Sequence, residues 1–112
     1  MKSFVLILAV FALSATMFGA VQTWNHAALI DSECAAKMKA NPDAHTRQCA
    51  LMCAKSGLGI VTADGTFLKF DAKGTDQAIA ALKASKQDDH LRATVTGERE
   101  GDTIKVQSFK LE

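Results

Sequence analysis

The chain is poor in aromatic side chains, and poorer still once its N-terminus is set aside. Phe4, Phe11 and Phe18 fall in an apolar leader, so Trp24, Phe67, Phe70 and Phe109 are the aromatics of the remainder. Several of these must fill a core, which leaves few to stack on bases and argues against single-strand nucleic-acid binding. There is no excess of charge of either sign. The sequence has 13 basic and 12 acidic residues, and loss of Lys2 with the leader brings them level. Such a surface exerts no bulk attraction on phosphate backbones or anionic lipid, so no nucleic-acid partner is expected. Cys-x-x-Cys, Cys-x-x-Cys-His, a phosphate-binding glycine loop and a calcium loop are all missing. No Ser/His/Asp constellation is visible either, and the chain reads as a non-enzyme.

The leader itself has a recognisable layout. Lys2 precedes an apolar run from Phe4 to Leu13, and small or mildly polar residues follow from Ser14 to Ala20. That is the pattern of a secretory signal peptide. Cleavage is expected after Ala20, although Phe18 is bulky for the third position before the cut. An uncleaved anchor is the rival reading, because the run counted through Val21 approaches the roughly 20 residues of a membrane span. No cysteine lies near the end of the run, against a lipid-modified N-terminus. The expected product is exported, periplasmic or secreted, with no stable membrane association after cleavage. Residues 1–20 are thus a signal peptide and 21–112 one domain. A domain this small buries only about 60–65% of its unfolded surface, so a covalent or metal crosslink would help it.

Residues 21–31 read as a first strand with imperfect alternation. Ser32–Lys39 suits a short helix. Asn41 then caps a second helix that runs to about Ser56 and stops at Gly57, with Pro42 at its first position and Asp43 complementing its dipole. Leu58–Ala63 and Thr66–Asp71 flank Asp64-Gly65, a two-residue hairpin signal. Lys73-Gly74 breaks the chain, and Thr75 or Asp76 caps a helix to about Lys86 with Ile79 and Leu82 facing a core. His90–Glu100 alternates cleanly, with Leu91, Ala93, Val95 and Gly97 on one face. After Gly101-Asp102, Phe109 and Leu111 are out of phase with Ile104 and Val106, which calls for a bulge near Gln107–Ser108. The expected fold is mainly β with helical insertions (α+β): an OB-like five-stranded antiparallel barrel with a cysteine-rich helical insertion at about 32–57. An open antiparallel sheet packed on helices uses the same elements.

The chemistry of the sequence is concentrated in that insertion. His45, Cys49 and Cys53 recur every four residues, which on one helix places them on one face, with Cys34 nearby. In an oxidising compartment cysteines pair, so the first reading is a structural disulfide among Cys34, Cys49 and Cys53. Cys49 and Cys53 are poorly placed to bridge within a regular helix, so Cys34 pairs with one of them. A closed loop of about 15–20 residues stabilises by roughly 3 kcal/mol. The second reading is a metal site in which Cys34, His45, Cys49 and Cys53 form a tetrahedral set suited to zinc, or their thiolates to copper. The third is thiol exchange by the cysteine left over, with His45 lowering a thiol's pKa. His26 and His90 have no ligand-spaced neighbours and read as surface residues.

Asp31-Ser32-Glu33-Cys34, His45, Cys49-Ala50-Leu51-Met52-Cys53-Ala54-Lys55-Ser56-Gly57 and the closing Val95-Thr96-Gly97 and Asp102-Thr103-Ile104-Lys105-Val106 together resemble a family of small exported bacterial proteins of unknown function. The resemblance covers nearly all of residues 21–112. It implies an OB-like barrel and export, and leaves ligand and partner unassigned.

Overall fold

The computed structural model describes residues 20–112; the signal-peptide segment expected at 1–20 lies, but for Ala20, outside them. Five strands close a barrel in the order β1-β2-β3-β5-β4, with β4 returning to β1. They are β1 (Val21–Asp31), β2 (Leu58–Val61), β3 (Phe67–Phe70), β4 (Arg92–Glu100) and β5 (Thr103–Leu111). Closure rules out the open sheet. The barrel is not wholly antiparallel, however: β3 and β5 run parallel, registered through Lys69–Thr103 and Phe70–Ile104. This follows from the helix between β3 and β4, which lets the chain re-enter beyond its neighbour.

The interior is aliphatic. Leu29, Leu58, Ile60, Leu68, Val95 and Ile104 are fully or almost fully buried there. β4 contributes through strict alternation, with Ala93, Val95 and Gly97 buried and their neighbours partly exposed. On β5, Ser108 pairs with Thr96 and Val106 with Gly97, so Gln107 is the extra residue of the anticipated bulge. That extra residue lets Phe109 pack on the core, where its ring meets Phe70 edge-to-face at 5.9 Å. The β2–β3 connection has five residues, 62–66, rather than two, and Thr62 N–H to Thr66 O (2.8 Å) closes its base. Gly65 takes φ +87° after a turn closed by Gly65 N–H to Thr62 O, a glycine-dependent geometry.

β1 explains its own imperfect pattern. It bulges between Trp24 and Ala27, and from Ala27 to Asp31 every residue is buried. Ala27 and Leu29 face the barrel interior, while Ala28 and Ile30 join Val61 in a second cluster under Cys34, Met38 and Phe67. A strand covered on both sides loses the alternation that a half-exposed one displays.

Between β1 and β2 the chain makes a helical excursion. It comprises α1 (Ser32–Met38), a 3-10 turn (Pro42–Ala44), α2 (Arg47–Met52) and a second 3-10 turn (Ala54–Ser56). The single helix expected over 41–56 is therefore broken into three pieces. Asn41 makes no side-chain cap; His45 sits in extended backbone, and Thr46 caps α2 by accepting from Cys49 N–H. A threonine able to cap competes with helix continuation through it. The excursion's ends are tied together by Ser32 N–H to Gly57 O (2.8 Å) and Glu33 N–H to Ser56 Oγ (3.1 Å). Among the described residues no helix is long and apolar enough to cross a membrane.

The remaining helix, α3 (Ala72–Ala84), starts earlier than its sequence suggests. Asp71 caps it by accepting from Gly74 N–H, so Lys73-Gly74 lies inside the helix instead of breaking it. Gly74 is there for proximity: a Cβ would lie 2.4 Å from Val106 Cγ2 on β5. Gly74, Ala78 and Leu82 form the buried stripe. Helix propensity alone would favour Gly74→Ala by about 0.5–1 kcal/mol, but overpacking of this kind costs about 1–3 kcal/mol. Gly74→Ala should therefore lower the urea midpoint, and a double-mutant cycle with Val106→Ala should show favourable coupling. A stabilised Gly74→Ala protein would contradict this packing.

Candidate functional site

Asp31 ends β1 in phase with Ala27 and Leu29, at the point where the excursion leaves the barrel. Its side chain is fully buried. Oδ2 accepts from Cys34 N–H at 3.0 Å and so caps α1, while Oδ1 lies 2.5 Å from His45 Nε2. In this contact the carboxylate oxygen accepts from the Nε2–H tautomer of His45. His45 is equally buried, and its Nδ1 has no partner among the described residues. The two halves of the excursion are thus joined through one carboxylate.

The thiols gather beside it. A carboxylate oxygen of Asp31 and the sulfurs of Cys34 and Cys53 lie within 4.8 Å of one another. Cys34 comes from the first turn of α1, and Cys53 is the residue that terminates α2. All three cysteines carry free thiols in this structure and are half-buried. Burial first, and then the Asp31 carboxylate, push the Cys34 thiol up from 9.0 to about 11. The Cys53 thiol is raised for the same two reasons in the same order.

Of the four residues proposed from sequence, Cys34 and Cys53 are brought together. Cys49 is close enough to add to the negative field on both, yet it falls outside the tight cluster. His45 reaches the site only through Asp31, and it does not share a helical face with Cys49 and Cys53 because α2 begins after it. Asp31 was missed as a site residue. Its signal was present: an aspartate just before a helix, three residues ahead of a cysteine, is an N-cap.

The other histidines are exposed and paired at the surface. His26 Nδ1 lies 2.6 Å from Glu112 Oε1, and His90 lies beside Asp89 and Asp43. Asp43 also receives Arg92 at 2.8 Å, which ties the excursion to β4. Two open grooves lie on the surface of the described residues. One of about 790 Å³ runs past Trp24, His26, Lys39, Asp64 and Arg92; the other, about 560 Å³, lies between Met52 and Ile79. Neither is lined by a cysteine. In comparisons with known proteins, no family model, no curated protein and no solved structure matches the chain.

The geometry has two measurable consequences. In the reduced protein, alkylation of Cys34 should accelerate with pH up to about 11, and Asp31→Asn should shift the profile downward. A profile centred at or below 9.0 would contradict the arrangement. Asp31→Ala should also destabilise more than Asp31→Asn in denaturant titrations. Alanine removes the cap, costing about 1 kcal/mol, and leaves buried His45 without its acceptor, costing about 1–3 kcal/mol more. Asparagine keeps one oxygen, which can accept from Cys34 N–H, while its NH2 group can donate to the other tautomer of His45, so both contacts have a route to survive; equal losses would refute the shared role of the carboxylate.

Proposed function

We propose that this chain is a small exported, non-enzymatic module with an OB-like barrel, in which a Cys34–Cys53 disulfide fastens the helical excursion. The observation that carries this reading is the approach of the two sulfurs to within 4.8 Å across the excursion. Side-chain rotation can close that to the roughly 2.05 Å of a bond, in a compartment where thiols oxidise. The OB-like assignment is supported by a closed five-stranded barrel with its helix between β3 and β4. Export, and kinship with the family of small exported bacterial proteins, rest on the leader and on the residues shared with that family.

The non-enzymatic reading has a physical support of its own. Cys34 stands beside a carboxylate–imidazole pair, but the carboxylate touches the thiol directly and opposes its ionisation. Reactive thiols are held in electropositive surroundings that lower their pKa. Cys34 has the reverse environment. It is better suited to a crosslink than to nucleophilic attack.

Peptide mapping of the exported protein after alkylation, without reductant, tests the proposal. A Cys34–Cys53 linked peptide and one alkylated cysteine, Cys49, are expected, and reduction should lower stability by about 3 kcal/mol. Three alkylated cysteines, or a bridge through Cys49, would overturn it. Retention of the protein in the cytosol on fractionation would overturn the export reading.

A further inference from the structure

We propose that in the dithiol form the Asp31 carboxylate and the Cys34 and Cys53 thiolates bind one zinc-class divalent cation, with His45 orienting the carboxylate and water in the fourth position. The inference concerns the reduced state of the pair that the disulfide closes, and it stands whether or not that disulfide forms.

The donor atoms are already close to the required spacing. A tetrahedral zinc with ordinary bond lengths holds two sulfurs and an oxygen about 3.5–4 Å apart. Here the three lie within 4.8 Å of one another, so small rotations of the cysteine side chains bring them to it. Asp31 is buried, which distinguishes it from surface carboxylates that cluster without a ligand. Its two oxygens each accept one hydrogen bond, from Cys34 N–H and from His45 Nε2. A carboxylate has about four acceptor positions, so capacity for a cation remains.

Charge points the same way. Ionisation of both thiols would place three negative groups within 4.8 Å of one another. A divalent cation supplies the missing charge, and two thiol protons leave to solvent as it binds. The donor set selects the metal class. Calcium and magnesium require six or more oxygens. Two thiolates with a carboxylate suit zinc, whereas a carboxylate is a poor partner for soft copper(I). The hydrogen bond from His45 to the ligating carboxylate is the outer-shell contact that such sites use to fix ligand orientation.

This assignment differs from the Cys34, His45, Cys49 and Cys53 set suggested by spacing. Asp31 enters as a ligand; His45 moves to the outer shell, and Cys49 leaves. Each change can be tested separately.

The reduced, metal-free protein is titrated with zinc against a chromophoric chelator, and with cobalt(II) as a spectroscopic stand-in. One equivalent should bind, and the cobalt form should show tetrahedral visible bands with sulfur-to-cobalt charge transfer. Asp31→Asn should weaken zinc by at least about 10-fold, and His45→Gln by about 10- to 100-fold. Cys49→Ser should bind as the unaltered chain does, and the protein oxidised at Cys34–Cys53 should bind none. Failure of the folded, reduced chain to take zinc would overturn the proposal, as would loss of binding in Cys49→Ser. Undiminished affinity in Asp31→Asn would do so too. If Asp31→Asn does not fold, the cobalt spectrum of the unaltered chain decides, since absence of sulfur charge transfer removes the thiolates. Zinc binding in a chain whose mapping finds no disulfide would sink the crosslink reading and leave this one standing.

Discussion

Asp31 is buried at the seam between barrel and excursion, and its carboxylate holds both halves of the excursion in place. Through Oδ2 it starts α1, and through Oδ1 it anchors the extended segment that delivers α2. A carboxylate hidden from water is tolerated only when it is hydrogen-bonded, and here each oxygen accepts one bond, from a backbone amide and from an imidazole. The partners come from different stretches of chain. Neither α1 nor α2, at 7 and 6 residues, is long enough to be stable alone in water. Their positions therefore depend on what they dock against, and Asp31 is the polar fixture of that docking.

Apolar packing completes the attachment. The barrel wall at β1 has a filled interior on one side, with Leu29 at 1% exposure, and a smaller cluster outside, with Ile30 at 0%. The outer cluster is covered by Met38 and Cys34 from α1 and by Phe67 from the hairpin. Ala50 from α2 reaches the main core and is wholly buried. Small residues recur where backbones approach closely. A Cβ on Gly59 would meet Leu68 O at 2.2 Å, and one on Gly97 would meet Lys105 O at 2.3 Å. A domain of this size gains from such contact because its interior alone is small.

The parts legible in the sequence were those where one rule acts alone. β4 is half-exposed, so its period of two survives in the residues, and the phase change between Val106 and Phe109 located the Gln107 bulge. The parts that misled were those where two rules compete. Lys73-Gly74 has the composition of a break, but Asp71 caps the helix ahead of it and Val106 demands the missing side chain. The four-residue spacing of His45, Cys49 and Cys53 suggested one helix face. Thr46 intervenes as a cap, and His45 is left in extended backbone facing Asp31. The parallel β3–β5 pairing is a long-range fact that no local pattern encodes. For the site, spacing along the chain found two of the three clustered residues. The third, Asp31, belongs to a strand, and strand phase rather than helical spacing brings it there.

The same carboxylate also determines what the thiols are fit to do. Cys34 occupies the first turn of α1, a setting that ordinarily favours a thiolate. Burial and the neighbouring Asp31 reverse that preference and hold the thiol protonated well beyond the usual range. Attack by either of these two thiols would need a thiolate at ambient pH, which the site opposes at Cys34 and at Cys53 alike. Two chemical changes remove the conflict between sulfur and carboxylate. One is a bond between the sulfurs, which abolishes their ionisation. The other is a cation among all three donors, which neutralises it. Either change crosslinks α1 to the end of α2 at the point where the excursion leaves the barrel. The mechanical result is therefore the same: a covalent or coordinate tie added to the hydrogen bonds that Asp31 already makes.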